Sequence, residues 1–169
     1  HGWGELMDLI YTINFNPNEI EDVLNVDRVL WAFAVNQVIL NLDTYNGYYV
    51  HNYYMYLSEN GLWQMIPWDL DNSFGGGLLG FDYFNPNVLF HFNPYEGEAE
   101  DELKPLAQKL FSNPLYRRQY NAHIRTIMEE SLDEATILSD ANYIQDLAYD
   151  AVDADPNKLF PMNFFTQNV

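Results

Sequence analysis

NLDTYNGYYVHNYYMYLSENGLWQMIPWDLDNSFG, residues 41–75, is the stretch whose reading decides the fold. Tyr48 to Leu57 is rich in Tyr, Val and Met, side chains that suit a pleated, half-buried surface. Ser58-Glu59-Asn60-Gly61 then supplies turn chemistry, and Leu62 to Trp68 returns as a second strand, so the stretch predicts a β-hairpin. Pro67 marks an edge or the strand's exit, because proline donates nothing to a ladder. Gly75-Gly76-Gly77 ends the stretch as a flexible turn.

Upstream, Val26 to Asn41 carries apolar residues at Val26, Val29, Leu30, Phe33 and Leu40, and its other side also holds Trp31, Val35, Val38 and Ile39. A helix that is greasy nearly all round belongs in the middle of a domain. Gly4 to Ile13 predicts a short helix closed by Asn14-Phe15-Asn16-Pro17, with Asn18 capping a further short segment. Downstream, Leu78 to Tyr95 reads as a long irregular stretch and Glu96 to Glu102 as an acidic, solvated run. Helices are predicted over Leu103 to Phe111, Pro114 to Ser131 (capped by Ser112-Asn113) and Asp133 to Val152, and a loop over Ala154 to Val169. The expected architecture is α+β but predominantly α, a single domain over 1–169 with one hairpin inserted after a buried central helix.

Composition narrows the function. The 169 residues carry 25 Asp+Glu against 7 Lys+Arg, a formal charge of −18, with 48% hydrophobic and 17% aromatic content. Intrinsic disorder is excluded by that hydrophobicity. Nucleic acid and anionic membranes are poor partners for such a surface, because phosphate is bound through Lys and Arg. Before Lys104 the one basic residue is Arg28, against sixteen acids. Cysteine is absent, which removes disulfides, thiolate zinc sites and cysteine nucleophiles. No membrane span is expected, since no apolar run reaches the length a bilayer needs. The opening HGWGELMDLI, which starts on His rather than Met and shows no signal-peptide pattern, reads as part of a larger protein.

Acids lie beside turns at both ends of the hairpin. Asp43 follows the central helix, Asn52 sits early in the first strand, and Asp69 and Asp71 lie just past the second. Folding the hairpin brings its open ends together, so Asp43, Asn52 and Asp69 are expected to converge. Two carboxylates and an amide oxygen form a hard site suited to Mg²⁺ or Mn²⁺, and an acid free of the metal can orient or deprotonate a hydroxyl. Taken singly, each has a plainer role: Asp43 an Asx-turn at a helix end, Asn52 a buried hydrogen-bond partner, Asp69 and Asp71 turn caps. The order helix–Asp, hairpin with Asn, strand–Asp–Gly is the one kinase-type phosphotransferases use. Asp69-x-Asp71-x-Ser73-x-Gly75 opens like a calcium loop, but its twelfth position would be Gly80 and its glycine falls one place late. Of the histidines, His51 stands out beside Asn52, while His91 and His123 read as structural. Exposed aromatics such as Tyr48 or Trp63 offer faces for sugar stacking.

The segments Asn41–Gly47, His51–Tyr56 and Ile66–Gly75, with Asn113-Pro114-Leu115-Tyr116-Arg117 and Tyr120 further on, resemble the CotH kinase family of spore-coat-protein-H-like, atypical secreted protein kinases. The resemblance spans roughly residues 25–130. It implies a protein-kinase-like C-lobe that transfers the ATP γ-phosphate to Ser or Thr of a secreted, spore-coat or cell-surface protein, with Mg²⁺ or Mn²⁺. It assigns Asp43 as the catalytic acid that orients the hydroxyl and accepts its proton. Asn52 and Asp69 become metal and nucleotide ligands, with Asp71 a second metal ligand. The departure is the missing N-lobe: there is no glycine-rich strand–loop–strand unit and no Lys before Lys104. This chain is therefore expected to bind nucleotide weakly or not at all by itself. Two rivals stand beside this reading. One is a non-catalytic surface or adhesion module binding a protein or glycan; the other is a carboxylate-pair glycosidase, which needs two acids across an open aromatic cleft.

Overall fold

The computed structural model describes residues 2–78, 91–95 and 102–167. The expected irregular stretch between the glycines and residue 91, the hypothetical calcium-loop position Gly80, and the acidic run over 96–101 lie outside the described residues. The described part is mostly helical with one two-stranded antiparallel hairpin. Two compact units divide the chain, His1–Ile127 and Met128–Val169.

In the first unit, α1 (Gly2–Phe15) buries Leu9, Thr12 and Ile13, the i, i+3, i+4 stripe of one helical face. Pro17 stops it and starts a 3₁₀ segment, Pro17–Asp22. The cap expected from Asn18 is not made; Asn16 holds that position, without a side-chain cap bond. Helix α2 (Val26–Val38) is the predicted centre. Its cap residue Asn25 accepts from the Arg28 N–H and donates its amide to Gln64 on the hairpin. Val29, Leu30, Phe33 and Ala34 are fully buried.

Phe33 sits between Tyr45 (ring centroids 5.6 Å apart) and Phe111 (5.8 Å), and Phe111 in turn meets Tyr120 at 5.0 Å. Those last two rings come from α3 (Pro105–Ser112) and α4 (Pro114–Glu130). Full burial of a ring of this size is worth about 1.5–3 kcal/mol, so this aromatic stack ties α2 to both later helices. Asn113 caps α4 as the sequence predicts, accepting from the Leu115 N–H at 2.9 Å. Burial, then the neighbouring Glu21 carboxylate, pushes the Tyr116 hydroxyl up to about 12. His123 has the structural role expected of it, stacked on Trp31 and 2.8 Å from the Asp27 carboxylate.

The hairpin pairs β1 (Tyr53–Leu57) with β2 (Trp63–Pro67), from Tyr53 opposite Pro67 to Leu57 opposite Trp63. Trp63 anchors it. Its backbone bonds Val23 and Asn25, and its indole N–H donates to the Glu5 carbonyl at 3.2 Å. Trp63 is thus a core residue, 8% exposed, and not the open stacking face expected of it. The first strand begins five residues later than predicted, since Val50 and Asn52 take left-handed backbone angles (φ +54° and +56°) that no strand accommodates.

The second unit contains α5 (Glu134–Ala154) and α6 (Met162–Thr166), the latter lying within the predicted C-terminal loop. Gln145 on α5 donates to the Phe165 carbonyl at 2.6 Å. Asp133 caps α5, accepting from the hydroxyl (2.7 Å) and N–H (2.9 Å) of Thr136, which hold its carboxyl below the ordinary 3.8. A carboxyl whose pKa is depressed by folding stabilises the helix above its unfolded value and stops doing so as pH falls through the folded one. Helical signal from residues 134–140 is therefore expected to weaken on acidification below about pH 3.8. Asp133→Asn should flatten that response while keeping the cap, and Asp133→Ala should weaken the first turn already at pH 7. Chemical shifts of Thr136 and Ile137 across the titration provide the check. No helix among the described residues is long and apolar enough to cross a membrane.

Candidate functional site

The site begins where α2 stops. Leu40 turns left-handed (φ +50°), and the Asn41 N–H bonds the Asn36 carbonyl at 2.8 Å. Both asparagines are buried and their amides are chained. Asn36 donates to the Ala32 carbonyl and Asn41 donates to Asn36 Oδ1, each at 2.9 Å. Asn41 Oδ1 then accepts the Asp43 N–H at 3.2 Å. The Asx-turn that Asp43 was available to make is made by Asn41 instead, which leaves the Asp43 carboxylate free to face the hairpin.

The loop carrying Asp43 is tightly closed. Tyr48 N–H donates to the Leu42 carbonyl at 2.7 Å, and Gly47 N–H to the Thr44 carbonyl at 3.0 Å. Thr44, Tyr45 and Asn46 are buried beneath it, the Asn46 amide reaching the Phe33 carbonyl and the Tyr45 hydroxyl accepting from Leu106 N–H. Gly47 is required by contact: a Cβ there would lie 2.0 Å from the Leu42 carbonyl oxygen.

Three side chains surround the Asp43 carboxylate, which is 16% exposed. Oδ2 accepts from the amides of Asn52 at 3.1 Å and Asn72 at 2.8 Å. Nε2 of His51 lies 2.8 Å from Oδ1 at ion-pair range, yet Oδ1 is buried and receives no hydrogen bond. The contact is one of distance, and proximity alone does not make a hydrogen bond to the oxygen.

Asp43 and Asn52 therefore meet as expected. Asp69 follows Trp68, whose N–H donates to the Asn52 carbonyl at 3.0 Å, so the backbone of Asp69 lies at the same end of the hairpin. Its φ is +55° and its side chain is exposed, as is that of Asp71. Neither carboxylate makes a hydrogen bond or ion pair among the described residues. Leu70–Leu78 is helical at its two ends and kinked over Asn72–Gly75, and the kink returns to the end of α2, Phe74 N–H donating to the carbonyl of the cap residue Ile39 and Gly75 N–H to that of Leu40. Among the described residues, five non-glycine ones, Leu40, Val50, Asn52, Asp69 and Phe74, hold positive φ, and all of them lie in or beside this site. Such angles cost about 1–3 kcal/mol each and persist where surrounding structure enforces them.

Among the described residues no three His, Asp or Glu side chains gather as a metal cage. An ion of the magnesium type does not need one, since it commonly takes one or two carboxylates and completes its shell with water and phosphate oxygens. Asn52, Asp69 and Asp71 are an all-oxygen set of that character. Asn72 and the Asn36–Asn41 pair had no role in the sequence reading. The signal for the upstream pair was the recurrence of Asn at 36, 41 and 46 beside a greasy helix, where each amide must find a partner.

A protein-family model described as CotH kinase protein matches residues 1–164. Inner spore coat protein H of Bacillus subtilis (strain 168) is 37% identical over 81 residues, which cover 44% of this chain and 21% of that protein. The chain thus spans about a fifth of the length of the curated relative it matches. No solved structure gives a significant match.

Proposed function

The chain belongs to the CotH kinase protein family, and from that premise we propose that it is the C-lobe portion of a protein kinase. Its reaction is transfer of the ATP γ-phosphate to a Ser or Thr hydroxyl of a spore-coat or surface protein, using Mg²⁺ or Mn²⁺. The observation that carries the proposal is the asymmetry of Asp43. One carboxylate oxygen is held by two amides, and the other is buried without a hydrogen-bond donor. A buried acceptor without a hydrogen bond is costly, by about 1–3 kcal/mol, and in this reading the half-exposed His51 ring, 2.8 Å away, swings aside to let an incoming hydroxyl satisfy it.

In this reading Asp43 Oδ1 accepts the hydroxyl hydrogen bond, aligns the oxygen for attack on the γ-phosphorus and takes the proton as the new P–O bond forms and ADP leaves. Asn52 presents its NH₂ to Asp43, because a carboxylate only accepts; its carbonyl oxygen is therefore the end available to a metal. Asp69 and Asp71 supply exposed carboxylates from the turn that follows Trp68, whose N–H is bonded to the Asn52 carbonyl. Mg²⁺ or Mn²⁺ held by these oxygens would supply charge neutralisation at the phosphate oxygens. Arg28 does not serve as the phosphate clamp, since its Nε donates to the Met65 carbonyl at 3.2 Å within the hairpin's support. The cations that meet the nucleotide are assigned to an N-lobe partner segment, and this C-lobe by itself is expected to hold ATP weakly.

The test is metal-dependent transfer of labelled γ-phosphate by the full-length protein. Asp69→Ala is expected to lower it by about 100-fold or more, with partial recovery at raised Mn²⁺. Transfer that is indifferent to both the metal and Asp69 would remove the metal-ligand assignment.

A further inference from the structure

We propose that Asn72 is a positioning residue for Asp43, a clamp that fixes the rotation of its carboxylate and joins the Asp43 loop to the turn bearing Asp69 and Asp71. The catalytic consequence rests on the phosphotransfer reading above; the clamp itself does not. Asn72 lies 29 residues from Asp43 in sequence and makes the shorter of the two hydrogen bonds to Oδ2, 2.8 Å against 3.1 Å from Asn52. A carboxylate held by one donor still swings about its Cβ–Cγ bond. Two donors approaching one oxygen from different segments stop that rotation and leave Oδ1, beside His51 Nε2 at 2.8 Å, as the fixed acceptor that carries no hydrogen bond.

The backbone on both sides explains why Asn72 is a firm support. Upstream, Trp68 N–H is bonded to the Asn52 carbonyl, and downstream Phe74 and Gly75 N–H groups are bonded to the last carbonyls of the α2 end. Ser73, next in the chain, closes its own hydroxyl onto the Leu70 carbonyl at 2.6 Å. Asn72 is partly buried with φ −86° and ψ 15°, so its side chain projects from a turn pinned at each end. Because Asp69 and Asp71 are on that turn, the clamp also sets the spacing between the acid that receives the proton and the acids assigned to the metal.

Two measurements on the full-length protein test this. In the first, the side-chain NH₂ of Asn72 is followed by NMR in isotopically labelled protein. It is expected to exchange slowly with solvent and to change its shift in Asp43→Ala; exchange at the rate of a free amide overturns the clamp whether or not the protein transfers phosphate. In the second, Asn72→Ala is expected to reduce kcat by about 10–100-fold with KM for ATP unchanged. Asn72→Ser, which keeps a donor, should recover part of the loss, and Asn72→Ala should add nothing in an Asp43→Ala background. Full kcat in Asn72→Ala while Asp43→Ala loses it overturns the positioning role. If Asp43→Ala also keeps full activity, the phosphotransfer assignment of Asp43 fails, and the amide measurement still decides the clamp.

Discussion

Asp43→Asn is expected to lower phosphate transfer by about 10²–10⁴-fold, the range associated with loss of a positioned general base, while the protein keeps its fold. The amide is nearly isosteric with the carboxylate. Its oxygen can still accept from Asn52 and Asn72 at the Oδ2 position, so the clamp survives the substitution. What changes is the Oδ1 side, next to His51. A carboxylate oxygen that accepts a proton becomes an NH₂ that cannot, facing the substrate hydroxyl with a donor instead of an acceptor. The loss corresponds to about 3–5 kcal/mol of transition-state stabilisation, and it should fall on kcat while KM for ATP stays within about twofold. Steady-state kinetics with denaturation midpoints for both proteins supply the measurement. Wild-type kcat in a folded Asp43→Asn protein would move the base elsewhere.

Gly47→Ala should have the opposite signature, damaging the structure first and activity as a result. The added methyl would lie 2.0 Å from the Leu42 carbonyl oxygen and 2.4 Å from its carbon, both backbone atoms with no rotamer to yield. Relief requires opening the loop, which breaks the Tyr48–Leu42 hydrogen bond and lifts the residues buried beneath it. The expected cost is about 3 kcal/mol or more, at the upper end for overpacking a filled site, read as a lowered denaturant midpoint. Gly61→Ala provides the comparison. Gly61 has φ +83° at the hairpin turn but nothing within 4 Å of a Cβ, so only backbone strain of about 1–2 kcal/mol is at stake. Equal midpoints for the two variants would mean that the 42–48 loop is not held as described.

The contrast between those glycines bears on what the sequence could reveal. Gly61 was legible, because Asn-Gly between two apolar runs has a local meaning. Gly47 was not, since its requirement comes from a carbonyl five residues back that approaches only after the loop closes. The same division runs through the molecule. Helix α2 and the paired core of the hairpin were readable from periodicity and turn chemistry. The strand predicted from Tyr48 failed at Val50 and Asn52, where strand propensity is overridden by a backbone bent towards Asp43. The meeting of Asp43 with Asn52 followed from topology alone. That Asn41 would take the Asx-turn, and so free Asp43, did not, because both residues satisfy the same local rule and only the burial of Asn41 decides between them. Asn72 was hidden for a related reason: one amide in a polar turn carries no periodic signal, and its partner is 29 positions away.

The return of Phe74 and Gly75 onto the end of α2 has a consequence for how this part of the protein can diversify. The chain leaves α2 at Ile39 and comes back to the same carbonyls 35 positions later, forming a closed circuit through every residue assigned to the site. Insertions at the open tip around Asn60 and Gly61 lengthen the hairpin without altering where that circuit closes. A single residue added between Leu40 and Asn52, or between Trp68 and Phe74, shifts the closure out of register. Length variation among relatives should accordingly collect at the tip and be sparse along the two arms that carry the acids.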